Sequence, residues 1–253
     1  MKQNGTVQFP DPQYLWCGDA WLAAYEWGAG EPLVLLHGNG EDSRYFAACI
    51  PYLSRFYRVI AIDSRGHGRS ERGGGPLDFG RMTADLCMCL DALGVWKTHL
   101  LGFSDGGNLA IKFALSHPQR VDKLILNGAN VSMLHGVVPW VQLPLYPAVG
   151  LLSLCAPLSA QAAEKRDVLA LMTRDYGVRL EDLACIDART LVIVGARDMI
   201  TWAHTCNIVH ALPDAALAVL PGTHFIAGET PARFCLNCLR FLRGEPVPDR
   251  KIV

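Results

Sequence analysis

Short apolar segments alternate with longer stretches of helical periodicity along most of this chain. The apolar segments are residues 32–36, 58–62, 99–101, 123–126, 191–194 and 216–220. A segment that is apolar at every position is typical of a strand buried on both faces of a parallel sheet. Residues 13–17 and 20–27 have the character of an antiparallel pair. The chain is therefore predicted to be an α/β protein with a mostly parallel central sheet of about eight strands and helices on both faces.

The stretches between these segments have the sequence features of helices. Apolar residues recur at intervals of three and four over 78–93, which places them on one face of a helix. Residues 105–116 and 231–243 are predicted as two further helices, the second opening with a threonine and a proline. Because no repeat or charged linker divides the chain, residues 1–253 are expected to form a single domain.

Charged residues are few and unevenly distributed. The 253 residues include 23 Lys or Arg and 24 Asp or Glu, a net charge of -1, which provides no basic surface for a nucleic-acid partner. Residues 124–163 contain no Asp, Glu, Lys or Arg. Four prolines between positions 139 and 157 oppose a membrane span, because proline interrupts the continuous helix that a bilayer requires. We therefore expect no membrane span and interpret residues 131–185 as an insertion within the domain.

Residues 1–10 contain no apolar run of the kind found in a secretory signal, so the cytoplasm is the expected compartment. The nine cysteines are then expected to be reduced thiols, and their odd number excludes complete pairing within the chain. Cys235 and Cys238 lie inside a predicted helix without a second Cys or His pair at zinc spacing. Core packing is therefore favoured over a metal or redox role, and no metal ion or cofactor is expected.

The most specific motif is Gly102-Phe-Ser104-Asp-Gly106-Gly107, which directly follows one predicted strand and opens a predicted helix. In this context, the pattern G-x-S-x-G predicts a nucleophile elbow. Glycines are required because the turn brings backbone atoms too close for side chains, and the serine is held in a strained conformation that exposes its hydroxyl. Amides at the helix N-terminus point toward the serine, where they can stabilise an oxyanion.

Five motifs in this order give the chain a resemblance to the α/β-hydrolase superfamily over nearly its whole length. Besides the serine motif, they are His37-Gly-Asn-Gly40, Asp63-Ser-Arg-Gly-His-Gly-Arg-Ser70, Val194-Gly-Ala-Arg-Asp198 and Gly222-Thr-His224-Phe. The resemblance implies the α/β-hydrolase fold with Ser104 as the nucleophile. Branches of the superfamily that require an aspartate nucleophile are thereby excluded, but the substrate is not identified.

A serine nucleophile needs a base within hydrogen-bond reach and a carboxylate that orients this base. Among eight histidines, only His224 lies in a loop beyond a late strand, where the superfamily places its base. The superfamily takes its acid from the loop after either of two strands; the loop after 123–126 has no carboxylate, so Asp198 is predicted. The resemblance also implies that the backbone amides of Asn39 and Asp105 form the oxyanion hole. In that role, replacing the Asn39 side chain should matter little.

Two charged residues near these motifs have alternative interpretations. Arg65 is expected to brace its turn through an ion pair, with a substrate clamp as the alternative. The carboxylate of Asp105, beside the serine, could pair with a substrate ammonium group and give a preference for amino-acid esters. It could equally be an acidic residue favoured at a helix N-terminus.

The uncharged insertion lies where the superfamily places a cap over its active site. Its apolar side chains are too many to bury within the segment itself, so they are expected to pack on the rim of the sheet and line a closed, apolar pocket. An amphipathic, charged cap helix is predicted over 164–176. Trp140, Leu143, Tyr146 and Phe225 are expected to contact the substrate.

These features together predict a serine hydrolase that cleaves a small or medium, mainly apolar carboxylic ester, thioester or lactone through an acyl-enzyme. Its partner would be a small acyl substrate, and the sequence does not indicate the oligomeric state. A carbon–carbon bond hydrolase, a perhydrolase-like enzyme and an acyltransferase on the same triad are alternatives within the fold. A slow or non-catalytic ligand receptor on the same scaffold is an alternative of another class.

Overall fold

The computed structural model describes residues 7–251, which contain one nine-stranded sheet with helices on both faces. The strands are β1 (Gln13–Trp16), β2 (Trp21–Trp27), β3 (Pro32–Leu36), β4 (Arg58–Ile62), β5 (Thr98–Phe103), β6 (Val121–Asn127), β7 (Arg189–Gly195), β8 (Ala215–Leu220) and β9 (Arg250–Lys251). The helices are α1 (Ile50–Leu53), α2 (Phe79–Ala92), α3 (Asp105–Ser116), α4 (Pro139–Gln142), α5 (Leu145–Cys155), α6 (Ala160–Leu171), α7 (Trp202–Ala211), α8 (Ile226–Glu229) and α9 (Pro231–Leu242). Short 3₁₀ turns lie at Ser43–Phe46, Pro118–Arg120, Ala156–Leu158 and Leu180–Cys185.

The sheet has the strand order β1-β2-β4-β3-β5-β6-β7-β8-β9. Strands β3 to β8 are parallel, whereas β1, β2 and β9 pair antiparallel at the two ends. The predicted mostly parallel α/β sheet is confirmed, with β9 as an additional strand. The sequence did not indicate β9 because its two residues, Arg250 and Lys251, carry no apolar pattern.

The apolar segments form strands whose alternate residues are covered on opposite faces of the sheet. Leu33 and Leu35 pack in the core that contains α1 and α9, whereas Val34 and Leu36 pack in the core that contains α2 and α3. Burial of each such side chain contributes about 1.5–3 kcal/mol. Because the strands are parallel, the loops that follow β3, β4, β5, β7 and β8 meet at one edge of the sheet, and this edge carries the five motifs.

The connection from β6 to β7 contains α4, α5 and α6, and we refer to residues 131–185 as the β6–β7 insertion. Helix α6 begins and ends earlier than the predicted 164–176, because the Ser159 side chain caps its start by accepting a hydrogen bond from the Ala162 amide. Residues Pro139–Leu158 have the length and the mean hydropathy, 1.5, of a membrane-spanning segment. The segment is interrupted between α4 and α5, where Pro144 lies.

Helix α5 departs from the expected packing of the insertion. None of its residues is buried, so the expectation that this apolar segment packs on the rim of the sheet is wrong. The helix packs mainly against α6, and to a smaller extent against the 3₁₀ turn Ala156–Leu158 and α4. Its apolar side chains surround the whole helix, and neighbours on one side cannot cover all of them.

Candidate active site

Ser104 lies in a turn between β5 and α3 whose backbone is strained. Among residues 7–251, it is the one non-glycine residue with a positive φ, 52°. A Cβ atom on Gly102 would lie 2.3 Å from the Gly106 carbonyl oxygen, and one on Gly106 would lie 2.1 Å from that of Leu36. Neither position has room for a side chain, so the expected tight turn and strained serine are confirmed.

His224 and Asp198 form a buried pair at the same edge of the sheet. His224 Nδ1 lies 2.7 Å from Asp198 Oδ1, and the two side chains are 4% and 3% exposed. Asp198 Oδ1 also accepts a hydrogen bond from the Ile200 amide at 2.9 Å. The cap of α7 is Thr201, not Asp198. An imidazole oriented by a carboxylate in this way keeps its proton on Nδ1 and presents Nε2 as the basic nitrogen.

The Phe103 ring connects the serine turn to the histidine. Its centroid lies 4.8 Å from that of the His224 ring and 4.0 Å from that of the Tyr45 ring. Within residues 7–251, the His224 side chain is hydrogen-bonded to Asp198, and no hydrogen bond joins it to Ser104 Oγ. Catalytic hydrogen bonds commonly form or tighten only when substrate is bound. The structure therefore brings the predicted base and acid together and places the serine on the adjoining turn.

Two further residues at this edge were not identified from the sequence. Gly128 follows β6 with a φ of 62°, and a Cβ atom there would lie 2.6 Å from His224 Cε1. Its only sequence signal is a glycine directly after a strand. Glu41 lies two residues after Asn39, and its only signal is that it directly follows residues 37–40, which we call the oxyanion loop after the role predicted for Asn39.

The predicted oxyanion residues Asn39 and Asp105 are joined through their side chains. Asn39 Nδ2 donates to Asp105 Oδ2 at 2.9 Å and to the Val168 carbonyl of α6 at 2.7 Å. An ion pair between Arg72 and Asp167 provides a second link between the domain and α6. Because its side chain holds the oxyanion loop against α3 and the insertion, replacement of Asn39 is expected to matter. The expectation from the sequence considered its backbone amide alone.

Asp105 is buried and does not face an open pocket. Its Oδ1 accepts a hydrogen bond from Asn108 Nδ2 at 3.2 Å, and the Asn39 bond occupies its Oδ2. Burial raises the pKa of Asp105 to about 6, against the opposing effect of the Asn39 and Asn108 hydrogen bonds. Since both carboxylate oxygens have partners, the geometry gives no support to recognition of a substrate ammonium by Asp105.

The charged turn after β4 has a structural role. The Arg65 side chain is 1% exposed and donates to both oxygens of Asp85, at 2.7 and 2.6 Å. It also donates to Asp19 at 2.8 Å. The predicted ion pair is therefore confirmed. His37 is likewise structural, because its Nε2 accepts a hydrogen bond from the Ser64 amide at 2.9 Å.

A cavity of about 450 Å³ lies between the oxyanion loop and the insertion. It is lined by Asn39, Gly40, Glu41, Gly66, His67, Gly68, Leu152, Gln161, Glu164, Lys165, Val168 and Leu169. This mixed lining meets the expectation of an apolar pocket only in part. The four residues predicted to contact substrate do not line this cavity: Trp140, Leu143, Tyr146 and Phe225 are 77%, 56%, 39% and 45% exposed. Phe225 does lie beside the His224 ring, at 5.6 Å between centroids.

The cysteines show no metal-binding arrangement. Cys235 and Cys238 are fully buried in α9, where burial raises the pKa of both thiols, and the predicted core role is confirmed. In the described part of the chain, no group of three or more His, Cys, Asp or Glu residues could hold a metal ion.

Known proteins resemble this chain in both sequence and fold. A family model of the alpha/beta hydrolase fold matches residues 31–151. A protein of Caulobacter sp. (strain K31) that carries the name carbamate hydrolase RutD is 30% identical over 248 residues, covering 85% of this chain and 91% of that protein. The 2-hydroxy-6-oxo-2,4-heptadienoate hydrolase of Pseudomonas putida (strain F1) is 42% identical over 107 residues, 40% of this chain and 38% of that protein.

The fold itself is shared with solved structures. The crystal structure of a hydrolase from Pseudomonas aeruginosa PA01 has a TM-score of 0.73 at 28% identity and covers 95% of this chain and 99% of that one. Together with the parallel sheet and the strained serine turn, these matches identify the chain as a hydrolase that belongs to the α/β-hydrolase superfamily.

Proposed function

We propose that this chain is a serine hydrolase that cleaves a small or medium carboxylic ester, thioester or lactone through an acyl-enzyme. The observation that carries this proposal is the His224–Asp198 pair, 2.7 Å apart and buried. The pair lies at the same edge of the sheet as Ser104, which is the one non-glycine residue with a positive φ among residues 7–251. A carboxylate–imidazole pair close to a serine can supply the base that a serine nucleophile needs. Carbamates are included among the candidate substrates, because the Caulobacter relative carries that name.

In the first half of the reaction, Ser104 Oγ adds to the carbonyl carbon as its proton moves to His224 Nε2. Asp198 stabilises the imidazolium, and the backbone amides of Asn39 and Asp105 donate to the oxyanion. An oxyanion donor is typically worth about 3–4 kcal/mol of transition-state stabilisation. When the carbonyl forms again, the bond to the leaving group breaks, and His224 returns the proton to the leaving oxygen or sulfur.

In the second half of the reaction, water replaces the leaving group. His224 takes a proton from the water as its oxygen adds to the acyl carbon of the acyl-enzyme. Collapse of this second oxyanion breaks the bond to Ser104 Oγ, which regains its proton from His224, and the carboxylic acid is released. Both halves use the same base and the same two amide donors.

Stopped-flow hydrolysis of p-nitrophenyl acetate tests the proposal. We expect a burst of about one p-nitrophenol per protein, followed by slower turnover, because p-nitrophenolate is a good leaving group and acylation is then faster than deacylation. Ser104→Ala should abolish the burst. Ser153→Ala, which removes an exposed hydroxyl from α5, is the matched control and should retain it. No burst and no turnover with any acyl ester would contradict the proposal and favour a ligand receptor.

A carbon–carbon bond hydrolase is the second candidate, favoured by the partial match to the Pseudomonas putida hydrolase. The same serine, base and acid would serve this reaction. Loss of absorbance of a 2-hydroxy-6-oxo-2,4-dienoate would be followed beside the ester assay. A kcat/KM more than about 100-fold above that of the best ester would make this reaction the preferred assignment.

A further inference from the structure

Glu41 is a carboxylate at the active-site edge that neither the proposed triad nor an ion pair uses. Its Oε2 atom is buried and has no hydrogen-bond partner among residues 7–251. Asp105, the other carboxylate near the serine, has partners on both oxygens. A buried polar atom without a partner is rare in native proteins, and a role in catalysis or ligand binding can account for its retention.

Glu41 Oε2 lies near the Phe103 ring, which contacts the proposed base. A Cβ atom on Gly38 would lie 3.3 Å from Glu41 Oε2 and 2.9 Å from the Phe103 ring. The Phe103 ring in turn packs against His224, 4.8 Å between centroids. Glu41 also lines the cavity of about 450 Å³ next to Asn39. Glu41 therefore borders both the predicted oxyanion residue Asn39 and this cavity.

Near neutral pH, the Glu41 carboxyl group can accept a hydrogen bond from a neutral or a charged donor. Burial raises its pKa to about 7, opposed by the Gly38 backbone and the His224 charge and assisted by the Asp42 charge. Near neutral pH, the carboxyl group is present in both forms, and both can accept a hydrogen bond.

We propose that Glu41 is a specificity-determining residue that accepts a hydrogen bond from an O–H or N–H group on the acyl part of the substrate. This inference rests on the proposed function, because the acyl part is positioned only when Ser104 and the oxyanion amides hold its carbonyl. The substrate class narrows to acyl groups that carry a donor close to the carbonyl carbon, such as hydroxyacyl, aminoacyl and carbamoyl groups. A site built to bind such a donor discriminates against analogues that lack it.

Four phenyl esters with acyl groups of equal size test this inference. Phenyl propionate has no donor, phenyl glycolate has an O–H, phenyl N-methylcarbamate has an N–H, and phenyl glycinate has an ammonium. Phenol release gives kcat/KM for each substrate with the wild type, Glu41→Ala and Glu41→Gln. The measured quantity is the ratio of kcat/KM for each donor-bearing substrate to that for phenyl propionate. Differences in intrinsic reactivity cancel when this ratio is compared between proteins.

We expect Glu41→Ala to lower this ratio by about 10-fold for at least one of the three donor-bearing substrates. The substrate with the largest loss indicates which type of donor group Glu41 binds. Glu41→Gln should restore most of a loss on the glycolate or the carbamate, because its amide oxygen still accepts a hydrogen bond. Glu181→Ala, an exposed carboxylate outside the cavity, should leave all ratios unchanged. Ratios that do not change in Glu41→Ala would overturn the inference. Failure of the wild type to release phenol from any of the four would instead contradict the proposed function.

Thermal stability gives a readout that does not depend on activity. Because burial raises the pKa of Glu41 from 4.5 to about 7, this group favours the folded state at low pH, and that contribution is lost as pH rises through about 7. Glutamine does not ionise in this range. The Tm of Glu41→Gln relative to the wild type should therefore rise between about pH 5 and about pH 8. A relative fall would show that Glu41 acts as a structural anion and would overturn the proposal.

Discussion

The edge of the sheet that carries Ser104, Asp198 and His224, which we call the serine edge, differs from the β6–β7 insertion in how its side chains are held. At the serine edge, strained backbone and buried polar side chains are held by specific partners, as in the pair of His224 and Asp198. In the insertion, large apolar side chains face outward: Trp140, Leu154 and Leu158 are 77%, 76% and 90% exposed. A low content of charged residues therefore does not by itself indicate burial. Whether an apolar segment is buried depends on how many other elements pack against it.

This contrast fits a division of roles. Strands covered on both faces hold the reacting groups within the small tolerances that catalysis requires. A helix that packs on one side can change its sequence and its position at little cost to the fold. Substitutions at the triad, at the oxyanion loop and in the insertion test this division.

Asp198→Asn should have the largest effect, because it removes the charge that holds the histidine tautomer while preserving the shape of the side chain. We expect kcat for p-nitrophenyl acetate to fall by about 10⁴-fold. Asp187→Asn, an exposed aspartate in the loop before β7, is the matched control. A fall of less than about 10-fold in a folded variant would remove Asp198 from the proposed role.

Asn39→Ala should have an intermediate effect, because it frees the oxyanion loop from both α3 and α6. Small misplacements of a catalytic donor can cost about 100-fold, so we expect kcat to fall by about 10- to 100-fold with a smaller change in KM. Asn207→Ala, which alters an exposed asparagine of α7, is the control. An unchanged kcat combined with a lowered Tm would assign the Asn39 side chain to stability alone.

The smallest effect is expected in the insertion. Leu154→Ala, at a side chain 76% exposed, should change the free energy of unfolding by less than about 0.5 kcal/mol. Leu126→Ala, at a side chain 0% exposed in β6, should cost about 2–5 kcal/mol. Urea unfolding of both variants measures the difference. A cost above about 1 kcal/mol at Leu154 would show that α5 is covered in solution, and the contrast between the two regions would no longer hold.

Much of the serine edge could be predicted from the sequence, because local patterns determine it. Each predicted triad residue lies within four residues of the end of an apolar segment, and parallel strands bring such positions to one edge. The direction of a side chain was not predictable in the same way. The direction of the Asp105 carboxylate depends on Asn108, one turn further along α3, and on Asn39, which contacts it across the fold.

The insertion was less predictable for a related reason. Its lack of charge was visible, but the surroundings of α5 depend on α6, whose start is fixed by the cap at Ser159. The prediction placed that helix four residues too late and assumed that the sheet would cover the apolar segment. Composition limits what a segment can bury, whereas only tertiary contacts determine what it does bury.

Two of the contacts that join α6 to the rest of the domain differ in their response to salt. The Arg72–Asp167 ion pair is partly exposed and weakens as ionic strength rises, whereas the hydrogen bond from Asn39 to the Val168 carbonyl is between neutral groups. Added salt would weaken the first link and leave the second in place, together with the burial of Ala170 and Leu171 at the end of the same helix. The attachment of α6, and with it the width of the cavity that α6 lines, should therefore depend little on ionic strength.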